Sequence, residues 1–183
     1  MNILGLSGSL RKASFNTALL RAARALAPAG MNIIEHSLVD IPIYNDDVRV
    51  AGYPASVQAL RQAVAAADGL LFVTPEYNYS VPGMLKNAID WVSRPPDQPF
   101  AGKPAAIMSA SGGMLGGARA QYHLRQICVF VDVHPLNKPE VVVSKAQEKF
   151  DAELRLSDEA TQKQVAAQLE ALARWIERLK KRD

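Results

Sequence analysis

A short stretch near the start of the chain concentrates side chains that can bind an anion. It reads GSLRKASFNT, from Gly8 to Thr17. Gly8 lets the backbone approach a ligand closely, and Arg11 carries a permanent positive charge on a planar group with several donors. Four more side chains can donate hydrogen bonds, namely Ser9, Ser14, Asn16 and Thr17. Together these residue types suit a dianionic phosphate.

The elements on either side of this stretch favour the same ligand. Apolar residues 2–6 predict a strand, and the spacing of Leu19, Ala23 and Leu26 predicts a helix over 17–27. A loop that ends at a helix N-terminus offers unpaired N–H groups and the positive end of the helix dipole to an anion. We therefore interpret the stretch as a phosphate-binding loop. The alternative is that Ser14 or Asn16 only caps the helix, beside a solvated turn.

Two stock phosphate motifs do not occur at this position. The loop has no G-x-x-x-x-G-K-[ST], and no G-x-G-x-x-G follows the strand. The sequence therefore argues against nucleoside triphosphate chemistry.

Two later loops repeat the succession of strand, loop and helix. One follows the apolar run 69–74 and reads PEYNYSVPG, and the other follows a strand predicted over 105–109 and reads SGGMLGG. Open α/β sheets bind ligands at the carboxyl ends of their strands. Strands one, three and four are neighbours in the flavodoxin-like order, whereas a Rossmann order separates one from three. We therefore predict an α/β fold, a flavodoxin-like three-layer sandwich with a five-stranded parallel sheet of order 2-1-3-4-5.

The remaining patterns complete one predicted domain over residues 1–183. Strands are predicted over 32–36 and 141–143, and the polar stretch Asn45 to Arg49 is predicted to be a loop. Ser157 is predicted to cap a long last helix. The length of 183 residues and the hydrophobic content of 49% suit one domain with a substantial core.

Composition narrows the class of protein further. Cys128 is the one cysteine, so we expect no intramolecular disulfide and no zinc or iron–sulfur ligation, and we expect it to pack as a small hydrophobe. No apolar run approaches the ~20 residues that span a bilayer, and no signal-peptide pattern follows Met1. We therefore expect a cytoplasmic protein without membrane insertion. The net charge of +3 comes partly from a basic helix end over 174–182, which requires no nucleic acid partner.

Three motifs, occurring in order, extend these inferences. They are GSLRKASFN after the first strand, PEYNYSVPGxLKNAIDW after the third and SASGGxxGGxRxQYHLRQ around the fourth. With them the chain resembles the NAD(P)H-dependent FMN reductase family, in particular its quinone and chromate reductases, from about Ile3 to Glu140. The resemblance implies bound FMN, NAD(P)H as co-substrate, small-molecule electron acceptors, and a homodimer or homotetramer.

The resemblance also implies a role for each loop. The FMN phosphate would be held by Ser9, Arg11, Ser14, Phe15, Asn16 and Thr17. The isoalloxazine would lie along Pro75, Glu76, Tyr77, Asn78 and Tyr79. Its other side would be closed by Ser111, Gly112 and Gly113. Family members vary over the stretch Gly112 to Leu115, so no contact is carried over to Met114 and Leu115.

Hydride chemistry on FMN requires neither a nucleophile nor a metal from the protein. This agrees with a sequence that has no Ser-His-Asp or Cys-His constellation, and we predict no catalytic residue and no metal site. Glu76 invites a general-acid role, but we favour a residue that organises its loop by hydrogen bonds. Tyr77 and Tyr79 can stack on a substrate or pack against a partner chain, and the sequence does not choose between these roles.

The predicted function is an FMN-dependent NAD(P)H oxidoreductase that passes hydride to quinones or similar acceptors such as FMN, chromate and azo compounds. Because the chain has no dinucleotide fingerprint, the nicotinamide and the acceptor would use one open flavin face in turn, which predicts ping-pong kinetics. One alternative is a flavodoxin-type electron carrier without its own turnover, although carriers usually gain from an acidic surface and this chain is basic. Another is a protein that keeps the fold and binds no flavin.

Overall fold

A parallel sheet forms the centre of the molecule. The computed structural model describes residues 1–181, and its strands are β1 (Asn2–Ser7), β2 (Asn32–His36), β3 (Gly69–Val73), β4 (Pro104–Ala110), β5 (His134–Pro135) and β6 (Val141–Val143). The strand order is β2-β1-β3-β4-β5, with β6 also paired to β4. All of these pairs are parallel. The predicted flavodoxin-like order is confirmed.

Helices cover both faces of this sheet. They are α1 (Phe15–Ala25), α2 (Asp46–Ala51), α3 (Ala55–Ala66), α4 (Gly83–Val92), α5 (Ala118–Phe130) and α6 (Glu159–Lys180), with a 3₁₀ turn at Ala146–Glu148. One apolar cluster joins α1 and α6 to the sheet, and a second joins α3, α4 and α5 to its other face. These are the three predicted layers. Within residues 1–181, no helix combines the length and the apolar character that crossing a bilayer demands.

The fifth position of the sheet is built differently from the prediction. We expected one strand over 141–143, but β5 pairs with the start of β4 and β6 with its end. Side chains bridge the break between them. Gln168 Nε2 donates to the carbonyl oxygens of Ile107 at 3.2 Å and Pro139 at 2.7 Å, and Gln121 Nε2 donates to that of Val141 at 2.8 Å. A two-residue strand carries no periodicity, so the sequence pattern could not reveal β5.

The prediction of a loop over Asn45 to Arg49 was wrong. Asn45 Oδ1 accepts the N–H of Asp47 at 2.9 Å and thereby caps α2. Asp46 Oδ1 lies 2.6 Å from Arg49 Nε one turn later. The hydrogen bonds from Arg49 and Tyr44 lower the pKa of Asp46 to about 2. A polar stretch can therefore form a short helix when its polar groups satisfy one another.

The predicted cap of the last helix was displaced by one residue. Asp158, and not Ser157, caps α6, because Asp158 Oδ2 accepts the N–H of Thr161 at 2.8 Å. Hydrogen bonds from Thr161 and Lys149 lower the pKa of Asp158 to about 2, and the side-chain bond from Thr161 has the largest effect. Arg182, which we counted with the basic end of this helix, lies outside the described residues.

Cys128 packs as predicted. Its side chain lies on α5 within the second apolar cluster and is 2% exposed. Burial raises the pKa of its thiol to about 12, so the thiolate is not formed near neutral pH. This confirms the interpretation of Cys128 as a small hydrophobe.

Candidate functional site

The three motif loops meet at the carboxyl edge of the sheet. They follow β1, β3 and β4, which are adjacent and point in the same direction. A cavity of about 290 Å³ opens between them and is lined by Ser9, Arg11, Ser14, Phe15, Asn16, Pro75, Glu76, Tyr77, Ala110, Ser111 and Gly112. The structure thus brings most predicted site residues together. Those that do not line the cavity are Thr17, Asn78, Tyr79 and Gly113.

The first loop, residues 8–14, presents free backbone donors. Within residues 1–181, the N–H groups of Lys12, Ala13 and Ser14 donate to no acceptor. The loop runs directly into α1, so the positive end of that helix dipole faces the same space. The Arg11 guanidinium folds back onto the carbonyl oxygen of Ala13. The loop therefore has several donors and a positive charge available for an anion.

Ser14 caps α1, as the alternative interpretation proposed. Its Oγ accepts the N–H of Asn16 at 3.2 Å and of Thr17 at 3.3 Å. Both bonds use oxygen lone pairs, and the hydroxyl hydrogen donates to no acceptor within the described residues. Capping the helix and binding an anion are therefore compatible roles for Ser14.

The side chain of Asn16 lines the cavity and is anchored to β4. Its Nδ2 donates to the carbonyl oxygen of Ala110, and its Oδ1 accepts the N–H of the same residue, both at 2.9 Å. This pair of bonds joins the start of α1 to the end of β4. Asn16 accordingly shapes the wall of the cavity, and one Nδ2 hydrogen has no acceptor within the described residues.

Thr17 lies behind the first loop. Its Oγ1 is 2.9 Å from Ser7 Oγ, and it lines a separate cavity of about 170 Å³. The same cavity contains His36, the last residue of β2, whose pKa is lowered by burial. Ser9 and Arg11 line this cavity as well, so Thr17 adjoins two of the predicted phosphate ligands although it does not line the cavity between the three loops.

The loop after β3 ends in a tight turn that we call the tyrosine turn, residues 77–80. Tyr77 and Ser80 exchange backbone hydrogen bonds of 3.1 and 3.0 Å. Between them, Asn78 and Tyr79 have positive φ angles of 49° and 67°. This conformation is uncommon for a residue as bulky as tyrosine, so the surrounding contacts must hold it.

Arg119 holds the tyrosine turn, and we did not predict it. Its Nη1 lies 2.8 Å from Glu76 Oε1, and its guanidinium stacks on Tyr79 with Cζ 3.6 Å from the ring centroid. Glu76 Oε2 also accepts the backbone N–H groups of Arg119 at 3.1 Å and Ala120 at 3.3 Å. These bonds support the interpretation that Glu76 organises its loop. Arg119 belongs to a quoted motif, but its partner lies 43 residues away, which no local pattern reveals.

Two glycines let α5 approach the loops closely enough for these contacts. Gly117 has φ 91°, and a Cβ there would lie 2.8 Å from Ser109 Cβ. Gly116 has φ 57°, and its added Cβ would lie 2.7 Å from Val142 Cγ1. With α5 so placed, His123 Nδ1 comes within 2.9 Å of Ser80 Oγ and completes the support of the tyrosine turn.

The third loop, residues 111–117, is anchored to the segment after β6. Ser111 N donates to the carbonyl oxygen of Val143 at 3.0 Å, and Ser111 Oγ accepts the N–H of Gly113 at 3.1 Å. Gly113 accepts a hydrogen bond of 3.2 Å from the N–H of Lys145. The N–H of Gly112 donates to no acceptor within residues 1–181. Gly112, which lines the cavity, therefore offers it a free backbone donor.

Comparison with known proteins points to one family. Residues 1–148 match the sequence model of the family described as NADPH-dependent FMN reductase. An NAD(P)H-dependent FMN reductase of Pseudomonas aeruginosa is 57% identical over 180 residues, which cover 98% of this chain and 97% of the relative. A quinone reductase of Escherichia coli is 49% identical over 183 residues, covering 98% and 97%. The solved structure of FerB, a flavoenzyme NAD(P)H:(acceptor) oxidoreductase from Paracoccus denitrificans, superposes with a TM-score of 0.89 at 37% identity and 97% coverage of both chains.

Proposed function

Since the chain belongs to the NADPH-dependent FMN reductase family, we propose that the cavity between its three loops binds FMN. The chain is an FMN-dependent NAD(P)H oxidoreductase. In the proposal, the first loop holds the phosphate, the tyrosine turn lies along the isoalloxazine, and the third loop closes the opposite side.

The free donors of the first loop carry this proposal. The N–H groups of Lys12, Ala13 and Ser14 are unpartnered within residues 1–181, and they lie beside Arg11 at the start of α1. A phosphate monoester has three acceptor oxygens and two negative charges, so it can use several such donors at once. With a neutral ligand, most of these N–H groups would be hydrogen-bonded to water only. The donor set therefore fits the phosphate end of FMN.

In the proposal, the residues of the chain bind and orient the flavin. FMN, when bound, supplies the two-electron hydride chemistry. We assign the free N–H of Gly112 to the polar edge of the ring, where a backbone donor stabilises negative charge. Glu76 is engaged by Arg119 and by two backbone N–H groups, so we assign it no proton transfer.

Quinones are the proposed acceptors, and FMN, chromate and azo compounds extend the list. The nicotinamide and the acceptor would use the same cavity in turn, which requires the oxidised nicotinamide to leave before the acceptor binds. Initial rates at varied NAD(P)H and quinone concentrations should give parallel double-reciprocal plots. Intersecting plots would contradict the proposal that the nicotinamide and the acceptor bind in turn at one face of the flavin. Rates measured for a panel of acceptors with NADH and with NADPH would rank the acceptors and would show which nicotinamide is preferred.

The same assay tests the enzyme against an electron carrier. Purified protein with bound FMN should oxidise NAD(P)H in the steady state when quinone is present and no other reductase is added. A flavin-loaded protein that fails to do so would be a carrier. A preparation that takes up no FMN in titration would remove the proposal altogether.

A homodimer or homotetramer is part of the proposal. The support is a set of exposed apolar side chains on and beside α5, with Tyr122, Val129 and Phe130 at 61, 81 and 80% exposed. Apolar patches of this kind mark protein interfaces. Light scattering after gel filtration should show a dimer or a larger oligomer, and Phe130→Glu should shift the population toward the monomer.

A cytoplasmic location is also proposed, because the buried free thiol of Cys128 needs no oxidising compartment.

A further inference from the structure

A second cavity lies on the far side of Ser14 from the flavin cavity. It has a volume of about 450 Å³, larger than the 290 Å³ between the three loops. One wall is the outer face of α1, and the other is a hairpin formed by residues 150–156. We call it the α1–hairpin cavity. The proposed oxidoreductase activity uses Ser14 and the backbone N–H of Lys12, and it assigns no role to the other groups that line this cavity.

The hairpin wall is well ordered by its own contacts. Phe150 and Leu156 form a β-bridge, and Asp151 N donates to the carbonyl oxygen of Arg155 at 2.9 Å. Asp151 Oδ1 accepts the N–H of Arg155 at 2.7 Å. The Phe150 ring packs against Phe15 at the start of α1, with 5.4 Å between centroids. The cavity is therefore bounded by two fixed elements.

Small side chains on α1 create the space. Ala18, Ala22 and Ala25 recur at helical spacing on the face that lines the cavity. Leu154 and Leu156 of the hairpin form the opposite surface. An apolar slot thus runs along α1 from the first loop toward the end of the helix.

The end of the slot nearest the first loop carries uncompensated positive charge. Lys12 lines it and makes no ion pair within residues 1–181. Arg21 lines it as well, and its only ion pair there, with Glu35, is long at 3.7 Å. By contrast, Arg155 is already paired with Asp151 at 2.7 Å and Glu153 at 3.1 Å. An anionic group would therefore be attracted to the Lys12 end.

We propose that the α1–hairpin cavity binds a small amphiphilic organic anion. Its carboxylate or sulfonate would lie at Lys12 and Arg21, and its apolar body along the alanines of α1. The volume falls within the range of ~300–1,000 Å³ that is typical of small-molecule pockets.

The test is calorimetric titration of the flavin-loaded protein with anilinonaphthalene sulfonate, an aromatic anion. We expect one site per chain that excess FMN does not displace. Ala25→Trp places a large ring in the slot and should weaken binding by at least about tenfold. Arg21→Glu, at a residue that does not line the flavin cavity, should weaken it similarly, and more strongly at low salt. The matched controls Ala29→Trp and Lys163→Glu change exposed residues outside the cavity and should bind like the parent.

Other results would overturn the proposal. These are absence of binding, unchanged binding in both Ala25→Trp and Arg21→Glu, or displacement of the probe by FMN, which would place the probe in the flavin cavity. A change of oligomeric state in Ala25→Trp without probe binding to the parent would identify the slot as a subunit contact. Circular dichroism confirms that each variant is folded. Titration of flavin-free protein keeps the result independent of the proposed function.

Discussion

The first loop and the tyrosine turn reach the same cavity by different means. The serine side-chain hydrogen bonds that shape the first loop are local, since Ser9 and Ser14 contact residues two or three positions away. The tyrosine turn depends on Arg119 and His123, both 43 residues from their partners. One loop is shaped by its neighbours in the chain, and the other by a helix that packs against it.

The difference matches what each loop is proposed to bind. A local loop at a helix start leaves N–H groups free, which suits a charged group that brings its own acceptors. A flat ring needs a surface held in one place, and the positive φ angles of Asn78 and Tyr79 are sustained by contacts from α5. The comparison can be tested by changing each loop separately.

The largest effect is expected from the glycine that positions α5. Gly117→Ala would place a Cβ 2.8 Å from Ser109 Cβ at φ 91°, and should destabilise the protein by about 2–4 kcal/mol. Gly8→Ala in the first loop is the matched change, with its nearest contact, Thr74 Oγ1, at 3.1 Å, so it should cost less. Thermal and urea unfolding measure both. Equal losses would show that the tyrosine turn depends no more on packing than the first loop does.

A large effect is also expected on the choice between FMN and riboflavin. Arg11→Ala should weaken FMN binding by about 1.5–3 kcal/mol because it removes charged hydrogen bonds to the phosphate. Riboflavin has no phosphate, so its affinity should barely change. Arg24→Ala, an exposed change on α1 outside the cavity, is the control. Fluorescence titration with both flavins measures the difference. Unchanged FMN affinity in Arg11→Ala would mean that the first loop has been misinterpreted.

A smaller and different effect is expected from the tyrosine turn. Glu76→Gln keeps the side-chain shape but removes the charge that holds Arg119, and should weaken FMN and riboflavin equally, by about 0.5–1.5 kcal/mol. Asp90→Asn, which removes an exposed ion pair with Lys86, is the matched control. The same titrations serve here. A loss confined to FMN would assign Glu76 to the phosphate side and break the comparison.

The smallest effect is expected from salt. Exposed charges such as Arg11 are screened when ionic strength rises, whereas ring contacts are not. Raising the salt from about 0.05 to 0.5 M should weaken FMN binding a few-fold and leave riboflavin binding nearly constant. Titrations at several salt concentrations give the slope of flavin affinity against salt concentration for FMN and for riboflavin. Identical slopes for the two flavins would remove the electrostatic distinction between the loops.

Sequence patterns were most informative where the structure depends on short segments. The three strand-loop-helix units predicted the sheet order, because only one of the two common orders places those loops together. They did not reveal β5, which has two residues, or α2, whose polar residues satisfy one another. They also did not reveal the two hydrogen bonds between Asn16 and Ala110, because these residues are 94 positions apart.

What the sequence determined by itself was the succession of elements and the chemistry of the three loops. Apolar periodicity specifies strands and helices locally, and residue types such as Arg11 and Ser14 specify which groups a loop can offer. Only the tertiary structure decided which of these groups face the cavity. Asn16 bonded to β4 at the cavity wall, Thr17 bonded to Ser7, and Arg119 joined the tyrosine turn, because contacts between distant segments depend on how the helices pack on the sheet.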